Sequence, residues 1–329
     1  MVLVGPALCL LSAACFGAMA IFGKLAYDAG VSPGALLLVR FTLAAVLLGL
    51  VLLLRPGLRG TAAERGTTTA RVLLVAVGLG AIGYATQASL FFAALERMDA
   101  SLLSLILYTF PVLVTVSAVL LGRDRLTPAR GAALVAASCG TLLVLLGAGA
   151  VSFQPVGALL AFGAALTYTV YILVADTVVH RLAPVVLCAL VMSGAAVTLG
   201  GRAVLAGGVD LTFGRAGWLW LSCIAVLSTV VAMLTFFAGL KRTGPSTAAI
   251  LSTFEPVVTT ALAALTLGES LTPLQLGGAA LVLSSVVVLQ VRVGRPGTSR
   301  AGRAWVSRWW GGSWSSGWSG FRSGTSPRP

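Results

Sequence analysis

A carboxylic acid stands beside a proline in the middle of an apolar stretch late in the sequence. Residues 251–260 read LSTFEPVVTT, so Glu255 precedes Pro256 inside a run that is otherwise apolar or hydroxylic. An ionised carboxylate at the centre of a bilayer costs roughly 2.5–3.5 kcal/mol on insertion scales. Proline donates no hydrogen bond, so the carbonyl of Ser252 loses its helical partner. Both groups are tolerated beside a hydrated cavity, where Glu255 could carry a proton or bind a cationic group.

A second proline interrupts an apolar run in the other half of the chain. Pro111 removes the helical partner of the Leu107 carbonyl, next to Tyr108. Matching interruptions in two halves of a membrane protein indicate a binding site, so we expect helix breaks at Pro111 and Pro256. The alternative for Glu255 is a structural carboxyl that hydrogen-bonds a neighbouring helix.

Several other polar side chains lie inside apolar runs and need partners there. Arg40 could attract an anionic or carboxylate group, or it could extend to the membrane surface or pair with Asp28. Hydroxyl and amide groups could line a cavity or join helices by hydrogen bonds. The same two alternatives apply to Tyr171, Ser228 and Thr229. The predicted substrate-binding set is Glu255, Tyr84, Gln87, Tyr108, Tyr168 and Arg40, with Glu255 also the proton-coupling residue.

No set of catalytic residues can be assembled from this sequence. The single histidine, His180, lies at the end of an apolar run with Asp176 one turn before it, and no serine–histidine–acid set forms near the midplane. GAMAIFGKL (17–25) has one residue too many for a phosphate loop and lacks Ser or Thr after Lys24. The cysteines have no metal-site or disulfide-framework spacing. We expect no enzyme, no cofactor, no catalytic residue and no metal site.

The composition requires a membrane around these residues. Hydrophobic residues make up 58% of the 329 residues and charged residues 9%, whereas soluble domains carry about 25% charged residues. Apolar runs of about 20 residues match the thickness of the hydrocarbon core. The predicted spans are 4–26, 33–54, 72–95, 100–121, 129–149, 155–178, 184–206, 217–239, 245–267 and 273–293. The expected fold is an all-α integral membrane protein with ten transmembrane helices.

The Lys and Arg residues are distributed unevenly among the loops. If the N-terminus is cytoplasmic, the loops on that side carry most of them, including Arg123, Arg125 and Lys241. The net charge of +13 then reflects topology, and we expect no nucleic-acid partner. Both termini are predicted to be cytoplasmic.

The chain contains an internal repeat. FFAALER (91–97) aligns with FFAGLKR (236–242), and at the same spacing Pro111 falls on Pro256. Each repeat holds five runs, an odd number, so the second repeat enters the membrane from the opposite side. Inverted repeats are the layout of many secondary transporters. Two inverted copies can exchange conformations, which gives outward-open and inward-open states of similar energy.

The order of these motifs resembles the drug/metabolite transporter superfamily, and within it the EamA-type exporters. The likeness is carried by SPGALLLVRF (32–41), ALERMDASLLSLILYTFPVLV (94–114) and FEPVVTTALAALTLGESLTPLQLGGAALVLSSVVVL (254–289). The resemblance implies a ten-helix bundle around a central substrate cavity. It also implies a substrate among amino acids, other metabolites and drugs. Asp124 departs from the pattern, since the family more often has Glu there.

Repeat and resemblance together give a domain prediction. We expect a first EamA repeat over 1–150, a second over 151–293 and a disordered cytoplasmic tail over 294–329. The tail is rich in Ser, Gly, Arg and Trp, which also suits association with an anionic membrane surface. Small residues at Ala132, Ala136 and Gly140 permit close helix contact, either within the chain or in a homodimer.

The expected function is transport in the plasma (inner) membrane. We predict a multi-pass secondary transporter that exports a small metabolite, amino acid or drug by alternating access, with proton coupling as an option. Its partners would be a small-molecule substrate, the lipid bilayer and, in the coupled case, a proton. The alternatives are a passive, channel-like facilitator and a membrane receptor or scaffold without transport.

Overall fold

The computed structural model describes most of the membrane-spanning part of the chain. The described residues are 4–59, 69–95, 97, 103, 106–146, 154–267 and 272–293. The predicted tail, 294–329, lies outside them.

The described residues form ten helices, which confirms the predicted fold class. They are α1 (Val4–Asp28), α2 (Pro33–Leu54), α3 (Ala70–Gly78, Leu79–Tyr84 and Ala85–Leu95), α4 (Phe110–Leu120), α5 (Pro128–Leu146), α6 (Pro155–Val178), α7 (Pro184–Leu205), α8 (Arg215–Ala225, Val226–Val231 and Ala232–Thr243), α9 (Pro245–Ser252 and Glu255–Leu267) and α10 (Pro273–Val293). Within the described ranges, eight helices are long and apolar enough to cross a membrane, and Phe110–Leu120 is a shorter apolar helix. A short 3-10 turn, Pro56–Arg59, follows α2.

Proline and its neighbours define where many of the helices begin. At the first position of a helix the missing N–H of proline is not needed, and its fixed φ suits the helix. Ser32 caps α2, because its hydroxyl accepts a hydrogen bond from the Ala35 N–H at 3.2 Å. Between α8 and α9 the chain reverses at Gly244, whose φ of 79° favours glycine. Helices that begin at proline are those at Pro33, Pro128, Pro155, Pro184, Pro245 and Pro273.

The two repeats are interlocked. α1 of the first repeat packs on α8 and α9 of the second, and α6 of the second packs on α3 and α4 of the first. α2 lies against α7, and α5 lies against α10. Exchanging the repeats converts each of these contacts into another member of the same set. The interior of the bundle is therefore built jointly by both repeats.

The fifth helices of the two repeats approach each other closely. A Cβ atom on Gly140 would lie 2.7 Å from the Gly278 carbonyl oxygen, and one on Gly278 would lie 2.6 Å from the Gly140 oxygen. Ala133 and Ala137 are buried in the same face of α5, whereas Ala132, expected in this stripe, is exposed. The small residues of α5 thus serve packing within the chain.

Candidate functional site

The fourth helix of the second repeat is interrupted near its middle. In α9, Thr253 and Phe254 form a turn between the two helical segments, and the N–H of Phe254 donates to the Leu251 carbonyl at 3.2 Å. In the first repeat, Tyr108 and Thr109 form the turn at the corresponding place. Each turn lies just before one of the prolines singled out from the sequence. Backbone and side-chain polar groups are therefore brought to one level of the bundle.

Glu255 begins the second segment of α9 and is half-buried. The phenol of Tyr108, from the other repeat, lies beside its carboxylate. Arg40, Tyr84 and Tyr168 all lie within electrostatic range of that carboxylate. Among the described residues, no salt bridge includes Glu255. A partly accessible acid with a hydroxyl donor beside it can accept a proton or bind a cationic group.

Aromatic rings connect the surroundings of Glu255 to the interior of the first repeat. The ring centroids of Phe110 and Tyr168 are 4.8 Å apart, and those of Tyr168 and Tyr171 are 6.1 Å apart. The series continues from Tyr171 to Tyr84 at 5.6 Å and from Tyr84 to Phe41 at 5.0 Å. Edge-on and stacked rings at these separations pack favourably. We call Arg40, Tyr84, Tyr108, Tyr168, Tyr171 and Glu255 the central cluster.

Arg40 lies deep inside the bundle, with 3% of its surface exposed. Its Nε donates to Thr229 Oγ1 and its Nη2 to Tyr84 Oη, each at 2.8 Å. The ring centroids of Phe41 and Tyr84 lie 5.0 and 5.8 Å from its guanidinium carbon. The predictions that Arg40 extends to the membrane surface or pairs with Asp28 are therefore wrong. A charged side chain inside the bundle needs hydrogen-bond acceptors close by, and α3 and α8 provide them.

Both hydrogen-bond partners of Arg40 lie in π-helical turns. These turns, Leu79–Tyr84 in α3 and Val226–Val231 in α8, are each six residues long and occupy corresponding positions of the two repeats. The hydroxyl of Thr229 also donates to the Ile224 carbonyl, five residues back, at 2.9 Å. π turns inside α-helices are rare and often occur at functional sites. The composition of these segments gives no signal that would have predicted them.

Two further residues show where the sequence prediction needs adjustment. Gln87 is half-buried, but within the described chain it forms no hydrogen bond with the central cluster. Gly17, which sequence reasoning missed, lies directly against Glu255, because a Cβ there would be 2.8 Å from the Glu255 carbonyl oxygen. The Thr259 hydroxyl donates to the Gly17 carbonyl at 3.0 Å. The backbone of Glu255 is thus held against α1.

The architecture and the position of the cluster define a class of protein. Two inverted repeats of five helices enclose polar and ionisable side chains next to an interrupted helix and two π-helical turns. This is the arrangement of a secondary transporter, in which irregular backbone lines a central site between repeats. The chain therefore belongs among membrane transporters.

Comparison with known proteins identifies the family. The chain belongs to the EamA-like transporter family, whose model matches residues 3–146 and 155–291. It is similar to the uncharacterized transporter YcbK of Bacillus subtilis, with 27% identity over 301 residues that cover 88% of this chain and 95% of the relative. An uncharacterized transporter of Archaeoglobus fulgidus is 28% identical over 213 residues, 64% of this chain and 74% of that protein. These matches confirm the resemblance inferred from the motifs.

A solved crystal structure shares the fold. Its chain superposes with a TM-score of 0.73 at 20% sequence identity, over 88% of this chain and 98% of that one.

Proposed function

We propose that this EamA-family transporter exports a small metabolite, amino acid or drug by alternating access, with the substrate bound at the central cluster. The observation that carries the proposal is Glu255, a half-buried carboxyl at the interruption of α9 that lies beside Tyr108 of the other repeat. The pair stands at the boundary between the two repeats. A change in how the repeats pack would therefore change the surroundings of this carboxyl.

The same carboxyl supports a proposal of proton coupling. When it is ionised, Glu255 can bind the cationic group of a substrate, and when it is protonated it is a neutral hydrogen-bonding group. Proton and substrate would then occupy the carboxyl alternately, and a ligand that prefers one of the two conformations shifts the equilibrium towards it. Export against a gradient would follow from proton entry in exchange for substrate.

We further propose that the protein lies in the plasma (inner) membrane with both termini in the cytoplasm. The support is the excess of Lys and Arg in the loops on one side. Arg123, in one of these loops, donates from Nη1 to the Leu173 carbonyl at 2.6 Å, close to the end of α6. Epitope tags at both ends should be protected from antibody in intact spheroplasts and accessible after permeabilisation; a single terminus labelled in intact spheroplasts would contradict this topology.

The substrate can be sought by untargeted comparison of the growth medium of overexpressing and deletion cells. Solutes enriched by overexpression are then loaded into proteoliposomes of the purified protein, and their release is followed with and without an imposed proton gradient. Glu255→Gln should abolish gradient-driven release while membrane levels stay normal. Asp28→Asn, which alters an exposed carboxyl at the end of α1, is the matched control.

Each alternative outcome has a separate meaning. Unchanged release by Glu255→Gln across a pH series would remove this residue from the mechanism. Release by the wild-type protein that ignores the proton gradient would indicate a passive facilitator. If no enriched solute crosses the proteoliposome membrane, the transport proposal itself fails.

A further inference from the structure

We infer that Arg40 is a positioning residue that couples the two π-helical turns to each other across the boundary between the repeats. The inference rests on the proposed function only in its consequence for transport, since the coupling itself concerns the folded chain. Arg40 is on α2, its partner Tyr84 ends the turn of α3, and its partner Thr229 lies within the turn of α8. One side chain thus contacts both irregular turns.

The guanidinium group is held where it lies by two hydrogen bonds and two aromatic rings. Two of its nitrogen atoms donate at 2.8 Å to hydroxyl groups, and aromatic rings lie close to its central carbon. Its 3% exposure leaves almost no access for a dissolved anion. Withdrawing Arg40 to bind a substrate carboxylate would break both hydrogen bonds at a position almost closed to solvent. This arrangement favours a fixed, positioning role for the charge.

The contacts of Arg40 also fix what its partners can do. Thr229 accepts from Arg40 of α2 and donates to the Ile224 carbonyl of its own helix, so both functions of its hydroxyl are used. Tyr84 Oη accepts from Arg40, so its own proton must be directed to another acceptor. Its ring is held between Phe41 and Tyr171. Arg40 therefore sets the orientation of a tyrosine within the aromatic series.

The coupling extends from the two turns to Glu255. The π-helical turn of α8 packs on α1, and α1 carries Gly17, which lies against the Glu255 backbone. The turn of α3 carries Tyr84, which lies within electrostatic range of the same carboxylate. A rearrangement at either turn would thus change the surroundings of Glu255. Because Arg40 is hydrogen-bonded to both turns, a change in one turn would alter the other.

Hydrogen–deuterium exchange in lipid nanodiscs tests the coupling without any substrate. The probe is the exchange rate of the backbone amides of 226–231 in α8 when the substitution is made in α3. Tyr84→Phe removes one acceptor of Arg40, and we expect several-fold faster exchange at 226–231. Thr198→Val is the matched control, because Thr198 Oγ1 donates to the Ala81 carbonyl at 2.9 Å and so supports the same turn of α3 without touching Arg40. It should leave exchange at 226–231 unchanged.

The role of Arg40 itself is tested by a double-substitution cycle. Arg40→Gln should accelerate exchange at both turns, and adding Tyr84→Phe to it should give no further increase at 226–231. Arg40→Lys keeps the charge but not the forked donors, so it should behave like Arg40→Gln. If Arg40→Gln cannot be purified, Thr229→Val serves instead, with faster exchange expected at 79–84.

The proposal is overturned if Tyr84→Phe leaves 226–231 unchanged, or if its effect persists in full when Arg40 is replaced. It is also overturned if Arg40→Lys exchanges like the wild type, since charge alone would then suffice. Because exchange is measured on substrate-free protein, these failures are separate from loss of Glu255-dependent export. The coupling can stand in a chain that exports nothing, and export can stand without the coupling.

Discussion

The two π-helical turns have the same place and length in their repeats but are stabilised by different chemistry. The turn of α3 lies against the backbone of α7: a Cβ on Gly80 would overlap the Val191 carbonyl, and one on Gly194 would overlap the Val77 carbonyl. Arg40 contacts both turns, through Tyr84 in α3 and Thr229 in α8, but among the described glycines only the turn of α3 is in such close backbone contact with a neighbouring helix. The turn of α3 therefore depends on the absence of side chains as well as on Arg40.

The fourth helices of the two repeats differ in the side chains at their corresponding positions. Glu255 begins the second segment of α9 against Gly17 of α1, whereas its counterpart in the repeat, Phe110, begins α4 against the ring of Tyr168 in α6. One repeat therefore contributes a carboxyl and the other an aromatic wall. A site formed between unlike halves can bind an asymmetric ligand in one orientation, although the helices around it are arranged symmetrically.

The largest loss of stability is expected at the contact between α3 and α7, where the backbones leave no room for a side chain. Gly80→Ala would place a methyl group into the Val191 carbonyl, so α3 and α7 must separate. Overpacking of this kind costs roughly 1–3 kcal/mol and occasionally more. We expect a clear fall in the melting temperature of the purified protein in detergent.

Gly78→Ala is the control for this prediction, because it lies in the same helix and a Cβ there would meet nothing within 4 Å. Replacing this glycine should be neutral or slightly stabilising, since alanine suits a helix better. Equal melting temperatures for the two variants would show that α3 and α7 are not in backbone contact.

A smaller effect is expected at the contact between α1 and α9. The Cβ of Gly17→Ala would lie 2.8 Å from the Glu255 carbonyl oxygen and 3.0 Å from Val258 Cβ, so a shift of part of an ångström relieves the contact. The expected loss of stability is about 1 kcal/mol, near the lower end for overpacking. Gly23→Ala, also in α1 and without neighbours within 4 Å, should show no loss. If the two variants melt alike, the backbone of Glu255 does not rest on α1.

The limits of the helices were predictable because the length of an apolar run and the position of a proline each depend only on the local sequence. Residues 245–267 and 273–293 were predicted as spans and are the limits of α9 and α10. The eighth span was set too short, at 217–239, since α8 continues to Thr243 through the polar residues Lys241 and Arg242. Apolar runs give the part of a helix inside the hydrocarbon, and a helix can extend beyond it.

The contacts of the site were less predictable, because they join residues far apart in the sequence. Arg40 could be recognised as a buried charge in need of partners, but Thr229 lies on α8 in the other repeat. The closeness of Gly17 to Glu255 depends on which faces of α1 and α9 meet, and a single sequence does not specify that. Tyr84, Tyr108, Tyr168 and Glu255 were grouped by depth in the membrane, which sufficed because interrupted helices bring polar groups to one level.

The smallest loss of stability is expected at Thr198, and its comparison with Thr229 separates the two turns by the kind of hydrogen bond that each loses. Thr198→Val removes a neutral bond to the Ala81 carbonyl in α3, which contributes roughly 0.5–1.5 kcal/mol. Thr229→Val removes the bond from the guanidinium of Arg40 and the donation to the Ile224 carbonyl, and bonds to charged groups contribute roughly 1.5–3 kcal/mol. The melting temperature should therefore fall less for Thr198→Val, where a half-buried residue loses one neutral bond, than for Thr229→Val, where a buried residue loses a charged one as well. Equal losses would mean that the charge adds nothing, and that the two repeats hold their π-helical turns in energetically equivalent ways.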